Sequence, residues 1–249
     1  GVGEPISLWP YAWLARDGRE RIGNGADIKN IAVGASQIPA DWETTGLGAF
    51  EIVVTTWEPF ANAALHEWVF DLDADGNGVA DQVVVVADHG AVTTGYPSGE
   101  LGCFFVDTLG WAGSAGALYD LSDSDCYAYA DPMSSVLYLQ LGQAYFWDST
   151  EGAKFQVTTY NGAGWDSDNS GGTYLRVNFD DVVNGSGAWL AQLEIAPEAN
   201  GISAPDKLFT LGYPVVSDGS TPNLGWLFWN QWHAGPSSEV YELLIPSST

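Results

Sequence analysis

At 249 residues, 46% of them hydrophobic, the chain can bury a sizeable core as one large β domain or two smaller ones, and it needs no crosslinks to fold. Seven Lys plus Arg stand against 32 Asp plus Glu, a formal charge of −25, so the surface repels phosphate backbones and anionic lipid head groups, and nucleic acid is excluded as a partner. No stretch approaches the roughly 18 apolar residues of a membrane-spanning helix, no charged-then-apolar signal segment opens the chain, and Gly1 in place of an initiator methionine reads as a processed or excised start.

Residues 1–25 mix Pro, Gly and Arg with Trp9 and Trp13 and show no sustained period; they read as a lead-in to a single domain over 26–249. From Ile28 onward, short segments alternate as strands do: Phe50, Ile52 and Val54; Trp68, Phe70 and Leu72; Leu137, Leu139 and Leu141. Further on, Leu175, Val177 and Phe179 oppose Tyr174, Arg176 and Asn178, while Trp189, Ala191, Leu193 and Ile195 oppose Gln192 and Glu194. Such strands are expected to have one wet face. Between them lie Gly/Asn/Asp turns, at Asn161 to Gly164, Asp166 to Gly172, Asn184 to Gly187 and Ser217 to Pro222. The best chance of a helix, Ala61 to His66, is about a turn and a half long. Gly142 to Gly152 carries no Pro/Ser-rich linker and is flanked by apolar strands, so no domain boundary is placed there. Many short strands punctuated by turns predict an all-β fold, an antiparallel β-sandwich of jelly-roll type.

The most specific local signal runs from Asp71 to Asp81, just ahead of the apolar strand Val83 to Val86. Carboxylates two residues apart repel one another, and a hard cation that takes oxygen ligands at about 2.3–2.6 Å is what gathers them into one loop. Two registers compete. In one, Asp71, Asp73 and Asp75 lead into Gly76; in the other, Asp73, Asp75 and Asn77 lead into Gly78 and Asp81 closes the loop. The second is favoured, because it places a glycine at the sharp turn, frees the Val79 carbonyl and supplies a closing carboxylate, whereas the first has Gln82 where an EF-hand carries Glu. Calcium is therefore expected on Asp73, Asp75, Asn77, Val79 and Asp81, with Asp71 an additional candidate; the bland reading is a solvated acidic turn.

Cys103 and Cys126, without CxxC or Cys/His metal spacing, read as a single disulfide and hence an oxidising, extracellular or cell-surface setting; two buried thiols are the alternative. His66, His89 and His233 have no metal-binding spacing and read as structural or solvated. Ser114 lacks the Gly-x-Ser-x-Gly elbow, and no catalytic triad context is visible. Carboxylate pairs such as Asp180 and Glu194 can be nominated too freely in so acidic a chain to identify a glycosidase. Asp120, Asp123 and Asp125, ahead of Cys126, read as a solvated acidic turn before a second cation site. Asn184-Gly185-Ser186 matches a glycosylation acceptor but is equally a Gly/Asn turn.

The stretch Trp68 to Val85 resembles a segment in the non-catalytic C-terminal region of secreted bacterial subtilisin-like serine peptidases, where a strand enters an acidic Gly-containing loop and leaves by an apolar strand. Asp27 to Ser36, Phe104 to Leu109 and Gly225 to Ile245 are similar to further pieces of those regions in the same order. The resemblance implies a calcium-stabilised accessory β-sandwich behind a peptidase domain, or part of a cell-surface protein, with no catalytic role of its own; it carries over Asp73, Asp75, Asn77 and Asp81. The chain departs from the pattern in its 12 Trp and its Cys pair. Two alternatives use other features. Trp226, Trp229 and Trp232 could form an aromatic platform for carbohydrate, although core packing also explains such residues. An unpaired edge strand could instead join copies of the chain into a layer or filament.

Overall fold

The computed structural model describes residues 6–20, 27–36, 49–60, 62–73, 77–108, 114–122, 125–130, 134–142, 153–161, 167–169, 175–177, 193–195, 224–228 and 240–243, with backbone alone for 6–16, 34–36, 49–50, 153–154 and every strand from 167 onward. In chain order, β1 (Ile6–Arg16), β2 (Ile28–Ser36) and β3 (Ala49–Thr56) enter a first sheet; β4 (His66–Asp73), β5 (Gln82–Asp88), β6 (Leu101–Asp107) and β7 (Ala117–Asp120) make a meander in a second. The chain then returns to the first sheet with β8 (Cys126–Tyr129) and β9 (Val136–Gly142), crosses back with β10 (Ala153–Asn161), β11 (Ser167–Asn169) and β12 (Leu175–Val177), and ends in the first with β13 (Leu193–Ile195), β14 (Leu224–Phe228) and β15 (Val240–Leu243). Every pairing between these strands is antiparallel. The predicted all-β architecture is the observed one.

The periodicity that predicted the strands also places the core. Trp68, Phe70 and Leu72 of β4 and Val84 and Val86 of β5 face Ile31, Val33, Ile52, Val54, Leu137, Leu139 and Leu141 of the first sheet in one buried cluster. Alternation puts every second side chain on that face, and area removed from water supplies the drive to stack the sheets. Cys103 of β6 and Cys126 of β8 lie in the same cluster and form the expected disulfide, with Cα atoms 6.1 Å apart, tying one sheet to the other.

Three features depart from the sequence-based expectations. The segment read as a lead-in contributes β1, which pairs with β2, β13 and β14. Its apolar residues fall at both parities, Ile6, Leu8 and Ala12 against Trp9, Tyr11 and Trp13, so no alternation marks it. Second, β5 shows the expected wetter face, but β2 and β3 do not: Asn30, Ala32, Glu51, Val53 and Thr55, on the face away from the shared core, are buried too. Their polar atoms are partnered, the Asn30 amide donating to Thr55 Oγ1 at 3.1 Å and the Tyr138 hydroxyl to Glu51 Oε1 at 2.8 Å, and this makes such burial tolerable. Third, the 61–66 segment holds only a 3-10 turn, Ala63–Leu65, while a short helix, α1 (His89–Thr94), follows β5 where none was expected.

Candidate metal centre

The β4–β5 hairpin positions the acidic loop. Its ladder runs from Trp68 opposite Val86 to Leu72 opposite Gln82, so Asp73 follows and Asp81 precedes the last paired residues. The Asp81 amide closes it by donating to the Leu72 carbonyl at 2.8 Å. Asp73 is fully buried and Asp81 nearly so. One carboxylate oxygen of Asp73, Oδ2, accepts the Gly78 amide at 2.8 Å, and Asn77 Oδ1 accepts the Val79 amide at 2.8 Å in an Asx turn. Gly78 takes φ 86°, in the left-handed region that disfavours a side chain, as the favoured register requires of its turn residue. Val79 is exposed, and Asp75 lies outside the described residues.

Asp73, Asn77, Val79 and Asp81 offer only oxygen donors, the chemistry a hard cation takes. Two buried carboxylates at the ends of one hairpin need compensating charge or hydrogen bonds, and Asp73 stands in register opposite Lys154 of β10. Among the described residues no group of three or more His, Cys, Asp or Glu side chains gathers at one point. Asp71 sits back in the ladder opposite Val83 and Gln156, half-buried, and burial pushes its carboxyl up.

Neighbours of the loop went unseen in the sequence. Asp107, fully buried at the end of β6, pairs in register with Gln82, whose buried Oε1 has no hydrogen bond among the described residues. The Thr108 hydroxyl donates to the Asp81 carbonyl. A polar Asp-Thr closing the apolar run Phe104 to Val106 was the available signal, but only the β5–β6 register brings it beside the loop.

The other candidates separate. His66 is buried against Phe60 and Trp68, ring centroids 5.9 and 6.0 Å away, and burial pushes its imidazole below the ordinary value. His89 stacks on Phe104 and its Nε2 lies 2.8 Å from Asp120 Oδ2. Asp120 also accepts the Ser122 amide, Asp125 is buried, and Asp123 lies outside the described residues, as do His233 and Asp180. Burial raises the Asp120 carboxyl, but Ser122 and His89 outweigh it and hold it low. Ser114 is exposed. Of the tryptophan platform, Trp226 is placed by backbone alone, in β14 opposite Pro10 and Tyr241, and Trp229 and Trp232 lie outside the described residues, as does the 184–186 acceptor.

Asp88, unremarked in the sequence, is a structural node. It is the N-cap of α1, accepting the Ala91 amide at 2.7 Å, and it also accepts the Ser98 and Gly99 amides and the Ser98 hydroxyl. Burial pushes its carboxyl up, but these hydrogen bonds together overcome that and hold it below the usual carboxylate value. The segment from Ala91 to Glu100 is exposed along its length, and the Asp88 carboxylate holds it at Ala91, Ser98 and Gly99.

Among the described residues no helix is long and apolar enough to cross a membrane. No protein-family model, curated protein or solved structure matches the chain.

Proposed function

We propose that this chain is a non-catalytic, calcium-binding β-sandwich that serves as an accessory or structural region of an extracellular subtilisin-like peptidase or cell-surface protein. The observation that carries the reading is the burial of two carboxylates, Asp73 and Asp81, where β4 enters and β5 leaves a loop whose other described donors are amide and carbonyl oxygens. Asp73, Asp75, Asn77, Asp81 and the Val79 carbonyl would hold the ion, whose charge offsets the repulsion between them. Locking the β4–β5 hairpin stabilises the second sheet by mass action, about 2.7 kcal/mol at a hundredfold excess over the dissociation constant. The role is mechanical, and an adjacent peptidase domain or further copies of the chain are the partners it suits.

Thermal melts in calcium and in EGTA test the reading. Chelation is expected to lower the melting temperature by roughly 5–10 °C, and Asp75→Ala to reproduce that loss in calcium. A melt indifferent to both removes the calcium; hydrolysis of casein by the isolated chain removes the non-catalytic assignment.

A further inference from the structure

One end of the sandwich carries both a cavity and an exposed loop. The cavity, about 370 Å³, is lined by Asn62, Ala63, Glu100, Leu101, Ala128 and Ala130 among others. The loop, Ala91 to Glu100, runs into its wall, since Gly99 and Glu100 belong to both. We propose that two copies of the chain associate here about a two-fold axis, the Tyr96 ring of each filling the cavity of the other. The inference goes beyond the metal-bound scaffold and does not rest on it, because no residue of the 73–81 loop takes part.

Tyr96 is the most exposed large hydrophobic residue among those described, at 78%. The backbone beneath it is fixed. The Asp88 carboxylate accepts the Ala91, Ser98 and Gly99 amides, and Thr94 Oγ1 donates to the Gly90 carbonyl at 2.8 Å and accepts the Tyr96 amide at 3.3 Å. Gly90 packs closely under the loop: a Cβ there would lie 2.5 Å from the Tyr96 carbonyl oxygen and 2.8 Å from Ser98 Cβ, so the fold-back requires glycine. A ring presented on so anchored a backbone loses little freedom on docking, whereas a flexible loop must be ordered at a cost.

The cavity suits such a ring. Ala63, Leu101, Ala128 and Ala130 offer apolar surface with mostly short side chains, and Glu100, the one charged residue among its described lining, is an acceptor for a phenol hydroxyl. Its volume gives room for one aromatic side chain. Charge and position identify the occupant as a second copy. At −25 per molecule, two copies meet at least cost where charge is scarce, and Ala91 to Gly99 carry no formal charge. Exposed Val92 on the loop and exposed Leu65, at the 3-10 turn that supplies Ala63, add apolar surface around the cavity. A projecting ring beside a cavity able to hold it is self-complementary, and a two-fold axis between them satisfies both copies at once. Each Tyr96 buries roughly 150–250 Å², a small part of a standard interface of about 1,600 Å², so the dimer is expected to be weak, with a dissociation constant on the order of 10–100 μM.

The test is sedimentation velocity of the full chain, in calcium, at concentrations up to about 500 μM. A monomer–dimer equilibrium is expected, tighter in about 1 M than in about 0.1 M salt, because salt screens the repulsion between two anionic bodies while leaving the apolar contact. Tyr96→Ala should raise the dissociation constant roughly tenfold or more and leave the melting temperature unchanged. Ala128→Phe, which fills the cavity from within, should weaken association likewise, with near-ultraviolet dichroism checking that the sandwich is intact. An equimolar mixture of the two variants should associate more tightly than either alone, since Tyr96 of one meets the open cavity of the other. The proposal is overturned if the chain stays monomeric at about 500 μM, if Tyr96→Ala leaves association unchanged, if the mixture associates no better than its components, or if Leu118→Ser on β7 abolishes the dimer while Tyr96→Ala does not.

Discussion

Removing the Cys103–Cys126 bond should cost this protein several kcal/mol without altering its fold. The two sulfurs are buried in the shared core and join β6 of one sheet to β8 of the other, closing a loop of sequence separation 23. In the chain-entropy model, a loop of that length removes enough freedom from the unfolded chain to stabilise the native state by about 3 kcal/mol. Cys103→Ala with Cys126→Ala also deletes two buried sulfur atoms, adding about 1 kcal/mol of lost packing. Alanine is preferred to serine because a hydroxyl in that core would need a partner. Urea unfolding should therefore place the double variant about 3–5 kcal/mol below the wild type, with a melting temperature lower by roughly 6–20 °C. Wild type held in reductant keeps its sulfur atoms and should show only the crosslink's share. Near-ultraviolet dichroism of the native states should coincide. A loss below about 1 kcal/mol in both the variant and the reduced protein would refute the argument, because the bond would then be closing a loop already closed in the unfolded ensemble.

Asp88→Ala should lose about 2 kcal/mol by urea unfolding, through the α1 cap and the Ser98–Gly99 turn together, and amide exchange at Ser98 and Gly99 should accelerate; unchanged exchange there counts against the node. The depressed Asp88 carboxyl stabilises the fold fully above its ordinary value of 3.8 and loses that contribution as pH falls through its lowered value, so Asp88→Asn should flatten the acid limb of the stability curve. His66 acts in the same direction at higher pH. Its buried Nδ1 has no hydrogen bond among the described residues, and with its folded value below 6.5 the unfolded chain takes up the proton first, so stability should fall as pH drops below about 6.5. His66→Phe should abolish that slope between pH 7.5 and 5, measured by urea unfolding; an identical slope in the variant would locate the titration elsewhere.

What could be read from the sequence was local and periodic. Trp68, Phe70 and Leu72 alternate with Val69 and Asp71, and both the strand and its core face follow from that. Asp73, Asn77 and Asp81 could be singled out as a candidate loop for the same local reason, since they lie in one short run. β1 escaped because it is apolar at both parities, and α1 because its six residues carry no period and its cap is completed by Ser98 and Gly99 beyond its end. Asp107 beside Gln82 is joined to the loop only by pairing between distant segments, which no spacing rule encodes.

The order of strands bears on how the chain is made. β3 is flanked by β2 and β9, and β4 by β5 and β10, and the bond from Tyr138 to Glu51 spans 87 residues. During synthesis from the N-terminus, both strands therefore wait with one ladder edge unfilled until much of the later chain has emerged, a long exposure for segments as apolar as Ile52 to Val54 and Trp68 to Phe70. The unfilled edges of β3 and β4 are therefore where pairing with another chain is expected to begin if the later strands are delayed.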